Sequence, residues 1–107
     1  MNNTAQPLTI KQMQKNAAQA ETLLKQLANA NRLMVLCHLV SGEKTVSELA
    51  EAVGLSQSAL SQHLAKLRED NLVRTRRDAQ TIYYSVSHPQ VLDMITFLNQ
   101  LYSRKTV

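Results

Sequence analysis

Cysteine occurs once in the 107 residues, so no disulfide can close within the chain. One thiol and three scattered histidines give no constellation for a structural zinc site, and no metal is expected. No run of eighteen apolar residues exists, which excludes a spanning helix. The N-terminal stretch MNNTAQPLTIKQMQKN has neither the basic start nor the apolar core of a secretory leader. A cytoplasmic protein without membrane association is the resulting expectation. Glycine and proline number two each, and no repeat, low-complexity tract or flexible linker interrupts the chain. Nor can paired carboxylates, an activated nucleophile or a cofactor motif be assembled, which argues against an enzyme and against a bound cofactor.

What is present suits one domain over residues 1–107, with 44% hydrophobic content to build a modest core. The net charge is +4 and the pI about 9.5, compatible with a polyanionic partner. The positive charge is concentrated: Arg74, Arg76 and Arg77 lie within four positions of one another.

Three capping-box spacings, Thr9 with Gln12, Thr45 with Glu48 and Ser87 with Gln90, mark helix starts. From Thr9 to about residue 28, Ile10, Met13, Ala17, Ala20, Leu24 and Leu27 form a narrow stripe suited to packing on another helix. After "NAN", a second helix places Leu33, Leu36, Cys37 and Val40 on one face and stops at Ser41-Gly42. Two short helices follow over about 46–69. Val46, Leu49, Ala50 and Val53 face inward on the first, Gly54 allows a left-handed turn, and Ser56 caps the second. Leu60, Leu64 and Leu67 are the buried side of that second helix; Gln57, Ser58, Ser61, Gln62, Ala65 and Lys66 are its free polar side. Two helices at a tight glycine corner read as a helix-turn-helix.

After Asn71 the period changes to two. Val73, Thr75 and Arg77 alternate with Leu72, Arg74 and Arg76. Beyond a turn near Asp78-Ala79, Ile82, Tyr84 and Val86 alternate with Tyr83 and Ser85, giving a two-stranded hairpin over about 72–86 with an arginine-bearing tip. A last helix from Ser87, over about 88–103, carries Val91, Met94, Ile95, Leu98, Leu101 and Tyr102. The predicted fold is mainly α with one β-hairpin, in the order helix, helix, helix-turn-helix, hairpin, helix: a winged helix-turn-helix.

That order explains the texture of GLSQSALSQHLAKLREDNLVRTRRDAQTIYYSV. Short amides and hydroxyls approach base edges, and arginines neutralise phosphates. Gln57 and Gln62 suit paired contacts with adenine, Ser58 and Ser61 suit several bases, and Lys66 suits phosphate. Arg74, Arg76, Arg77 and Gln80 suit the minor groove or backbone at the wing. Thr45 and Ser47 offer hydroxyls to a phosphate. The competing reading for the arginines is a solvated strand edge. His63, beside the Leu60 and Leu64 face, reads as partly packed, and Cys37 as a small core residue.

The runs LSQSALSQHLAKLREDNLV and RRDAQTIYYS, with LLKQLANANRLMVLCHL before them and FLNQLYS after, resemble the ArsR/SmtB family of bacterial transcriptional repressors. Within it they look most like the non-metal branch containing HlyU, BigR and NolR. The resemblance implies a homodimer through the first and last helices, with two recognition helices in successive major grooves of a palindromic operator. It also implies no metal site, because TVSELAEAV has no thiol and the last helix has no histidine beyond His88. Redox-sensing members pair a cysteine in the second helix with one near the chain's end; Cys37 matches the first, and Ser103 stands at the second. Three readings stay open: a natural regulator without a thiol pair, a sensor working through Cys37 alone, and a chain in which serine was substituted for cysteine. At the level of function, a dimeric DNA-binding repressor competes with a protein-interaction module on the same scaffold.

Overall fold

The computed structural model describes residues 9–103. Residues 1–8, read above for a leader, lie outside them. Five helices and three short strands run in the order α1 (Ile10–Leu27), α2 (Ala30–Val40), β1 (Lys44–Thr45), α3 (Val46–Val53), α4 (Gln57–Glu69), β2 (Val73–Asp78), β3 (Thr81–Val86) and α5 (Pro89–Ser103). No described helix is long and apolar enough to cross a membrane.

Local chemistry sets the boundaries. Thr9 caps α1 by accepting from the Gln12 N–H, and Asn29 caps α2 by accepting from the Arg32 N–H. Arg32 then reaches back, donating from Nε to the Gln26 carbonyl at 3.0 Å and from Nη2 to the Lys25 carbonyl at 3.1 Å. A cation on the last carbonyls of α1 satisfies their missing partners and opposes the negative end of the helix dipole. At α3 both halves of the capping box are present, Thr45 with Glu48. Gly54 follows with φ 73°, ψ 32°, and Ser56 caps α4. Asn71 supplies a second left-handed residue, φ 62°, where the Leu72 N–H bonds back to the Leu67 carbonyl and closes α4.

The expected hairpin is present, and three other expectations need correction. The hairpin belongs to a three-stranded antiparallel sheet of order β1-β3-β2, because Lys44 and Thr45 pair with Tyr84 and Tyr83. Its turn lies at Ala79-Gln80, between the paired Asp78 and Thr81, with Ala79 at φ 58°. Ser87 does not cap α5. Its N–H bonds to the Leu72 carbonyl, while the helix begins at Pro89, whose fixed φ and missing N–H suit the first helical position. The buried side of α2 is Val35, Leu36 and Leu39, with Leu33, Cys37 and Val40 only partly buried around it.

One core unites these elements. Leu36 and Val35 from α2, Leu49 from α3, Leu60, Leu64 and Leu67 from α4, and Val91 from α5 are almost wholly enclosed. Each fully buried leucine contributes about 1.5–3 kcal/mol in removed apolar surface, so α4 is held mainly by its three leucines. The two terminal helices are different. α1 buries only Leu27, and Ile10, Met13 and Leu24 are exposed; on α5, Phe97, Leu101 and Tyr102 are exposed beyond the core positions Val91 and Ile95. Both predicted stripes lie on helices: the α5 stripe is covered at Val91 and Ile95 and open at Leu101 and Tyr102, and the α1 stripe is covered only at Leu27.

Candidate nucleic-acid interface

The recognition face is built by opposition. At about 100° per residue, Gln57, Ser58, Ser61, Gln62, Ala65 and Lys66 fan across about half the circumference of α4, and all six are exposed. Leu60, Leu64 and Leu67 fall on the other side, each at or below 1% exposure. The core therefore fixes which way the polar face points. His63 falls at the boundary and is half-buried. Burial first, then the Arg32 and Lys66 charges, pushes its pKa down and favours a neutral ring.

The first turn of α4 is tied to α3. Gln57 Nε2 donates to Ser47 Oγ at 3.2 Å, and Ser56 and Ser58 share a hydroxyl contact at 3.3 Å. Gln57 keeps its Oε1 and one amide hydrogen for another partner. Thr45, in contrast, already accepts from the Glu48 N–H, and the Glu48 carboxylate accepts from the Thr45 N–H. The Thr45 N–H is therefore taken up within the cap beside a carboxylate, while its hydroxyl hydrogen remains available to a partner.

On the wing, Arg74, Arg76, Arg77 and Gln80 are all exposed, but they are not equivalent. Arg74 pairs in register with Ser85 and Arg76 with Tyr83, on one face of the hairpin; Arg77 pairs with Ile82 on the other, next to the turn that holds Gln80. Arg74 Nε donates to Ser85 Oγ at 3.4 Å. Arg76 is not a bare tip arginine. It donates to Glu43 from Nη2 at 2.6 Å and from Nε at 3.2 Å to each carboxylate oxygen, and its guanidinium carbon lies 4.6 Å from the centre of the Tyr83 ring. This bond lowers the Glu43 pKa and raises that of Arg76. Glu43 and Ser47 are the contacts that sequence reasoning did not find, since neither has a periodic signal linking it to a residue ten or thirty-three positions away.

Cys37 is packed partly against the core, and desolvation raises its pKa. A raised pKa leaves less thiolate, the nucleophilic form, at neutral pH. Alkylation of native protein by iodoacetamide at pH 7 is therefore expected to be slower than that of free cysteine, and to accelerate with pH until the raised pKa is passed. A rate equal to free cysteine across that range would contradict the partial burial of Cys37 against the core. Ser103, at the end of α5, donates to Asn99 Oδ1 at 3.3 Å. Among the described residues no three His, Cys, Asp or Glu side chains gather to hold a metal ion.

A family model described as bacterial regulatory protein, arsR family, matches residues 24–75, from the last turn of α1 into β2. The transcriptional activator HlyU of Vibrio cholerae serotype O1 is 51% identical over 96 residues, 90% of this chain and 89% of that one. The structure of HlyU from Vibrio cholerae superposes with a TM-score of 0.81 at 52% identity, covering 86% of this chain and all of that one, at 100%. The biofilm growth-associated repressor of Xylella fastidiosa is 37% identical over 100 residues, 94% of this chain and 88% of that one. The solution structure of a homodimeric winged helix-turn-helix DNA-binding domain from Mycobacterium bovis, 25% identical, superposes with a TM-score of 0.76 over 92% of this chain and 91% of that one. Fold, helix-turn-helix and a 51% identity over 90% of the chain agree: the chain is a winged helix-turn-helix transcriptional regulator and belongs to the arsR family of bacterial regulatory proteins.

Proposed function

We propose that the chain is a homodimeric, sequence-specific DNA-binding repressor that acts in the cytoplasm on a palindromic operator. The observation that carries this reading is the exposed face of α4, polar but for Ala65, held outward by three buried leucines and followed directly by an arginine-bearing wing. Gln57, Ser58, Ser61 and Gln62 present paired donors and acceptors of the kind that read base edges in the major groove. Lys66, Arg74 and Arg77 supply phosphate contacts, with Gln80 beside them at the tip. The exposed apolar side chains of α1 (Ile10, Met13, Leu24) and α5 (Phe97, Leu101, Tyr102) favour a dimer, as does the homodimeric relative, and a two-fold dimer reads a two-fold sequence. Operator occupancy that blocks transcription is the simplest output of such a module and matches the relative named as a repressor.

Selection from random duplex DNA at low salt with reductant is expected to enrich a palindromic site. On that site Gln62→Ala should cost about 1–3 kcal/mol and relax preference at one base pair in each half, while affinity for unrelated duplex stays the same. Arg77→Ala should weaken binding to every sequence alike and lower the slope of log affinity against log salt by about 0.9 per phosphate lost. Failure to enrich any palindrome would sink the reading. Salt-independent binding to a protein partner, tolerant of Gln57→Ala and Gln62→Ala, would favour the interaction module.

A further inference from the structure

Glu43 lies one residue before β1, the two-residue strand that runs without a break into α3. Its carboxylate reaches past β1 and β3 to Arg76 on β2. The same arginine rests over Tyr83, which is its register partner on β3 and, on the other side, the partner of Thr45 in β1. The contact therefore spans the whole sheet and joins the start of the helix-turn-helix to the strand that carries the wing arginines. The ladder it reinforces is short: β1 has only two register pairs, Lys44 with Tyr84 and Thr45 with Tyr83. Arg74 and Asp78 are the other charges felt by this pair, the first by Glu43 and the second by Arg76.

We infer that Glu43 is a positioning residue that fixes the wing against the helix-turn-helix and withholds Arg76 from DNA. The inference rests on the DNA-binding reading above. The Glu43 carboxylate takes Nε–H and one Nη2–H, the bidentate edge of the guanidinium, and Tyr83 covers one face, so a phosphate must compete with an intramolecular carboxylate for that edge and for the charge, with only the Nη1 side left open. Arg77 and Gln80, free at the turn, remain as the wing's contacts. The device affects specificity. One fewer sequence-independent phosphate contact lowers non-specific affinity without touching the base-reading face of α4, which widens the ratio between operator and bulk DNA.

The test compares the parent, Glu43→Gln and the double variant Glu43→Gln/Arg76→Ala on random duplex and on the selected operator, each across a salt series. Glu43→Gln is expected to steepen the salt slope by about 0.9, the value for one added phosphate contact. It should also raise affinity for random duplex severalfold at low salt. The double variant is expected to return to the parental slope. An unchanged slope in Glu43→Gln would overturn the inference. So would steepening that persists in the double variant, which would assign it to lost negative charge rather than to Arg76. A double variant shallower than the parent would show that Arg76 already holds a phosphate with Glu43 in place, and would overturn it too. A DNA-free measurement separates the clamp from the DNA-binding reading: the Arg76 Nε–H should exchange more slowly than that of Arg77 in the parent and match it in Glu43→Gln. Equal exchange in the parent would overturn the clamp even if no duplex bound.

Discussion

Phe97→Glu is expected to turn the proposed dimer into a monomer at micromolar concentration and to remove the proposed preference for a palindromic site. Phe97 is 55% exposed, and it lies one turn before the exposed Leu101 on the side of α5 that faces away from Val91 and Ile95. About half of its apolar surface thus remains to be covered by a second copy. At about 1.5–3 kcal/mol for a fully buried phenylalanine, each copy stands to gain about 1 kcal/mol, and two-fold symmetry counts it twice. Glutamate forfeits that gain and adds two carboxylates to an apolar contact with no partner, which costs several kcal/mol more. A dimer constant weakened at least about a hundredfold follows. Because the side chain is more than half in water within one chain, the monomer's fold should survive, with an unchanged helical circular dichroism signal. Phe97→Leu serves as the control that keeps the apolar contact. Sedimentation velocity reads the outcome directly. A variant that still sediments as a dimer would place the interface elsewhere than on this stripe.

The features legible in the sequence are those with a local cause. Leu60, Leu64 and Leu67 against Gln57, Ser61 and Gln62 define a helix with one buried and one free side, and the structure gives α4 the expected span. Gly54 and Ser56 announce the corner because one supplies the left-handed conformation and the other a cap, both short-range effects. The alternation from Val73 to Val86 sets the register of β2 against β3. What escaped has non-local causes. Lys44 and Thr45 are too few to show a period of two, and they become a strand only because β3 offers an edge. Ser87 has a capping hydroxyl at the right spacing, but Pro89 two residues later fixes the helix start instead. On α2 the face was set one step off because Cys37 and Val40 look as apolar as Val35 and Leu39; only packing decides between them. Arg76 shows the same limit at the site. Its position among arginines suggested a free cation, and the residue that restrains it lies thirty-three positions earlier.

Leu64→Ala is expected to cost about 2–5 kcal/mol of folding stability. Leu64 is 1% exposed and sits between Leu60 and Leu67, both at 0%, on the side of α4 that meets the core. Those leucines hold the helix whose opposite face is proposed to read DNA, so a cavity in place of the Leu64 side chain loosens the scaffold and not the contacts themselves. A domain of this size has about 5–15 kcal/mol in total, and a loss of that order should lower the melting temperature by about 10 °C or more. Leu64→Met, which nearly conserves volume, should cost less than about 1.5 kcal/mol. The two classes of variant then separate in one experiment. Leu64→Ala should lower the melting temperature while the folded protein keeps the parental affinity and salt slope, whereas Gln62→Ala keeps its melting temperature and loses base preference. Thermal denaturation combined with active-site titration against the selected duplex distinguishes them. If Leu64→Ala left stability unchanged but altered base preference, α4 would not be anchored by its leucines, and the opposition between buried and reading faces would have to be abandoned.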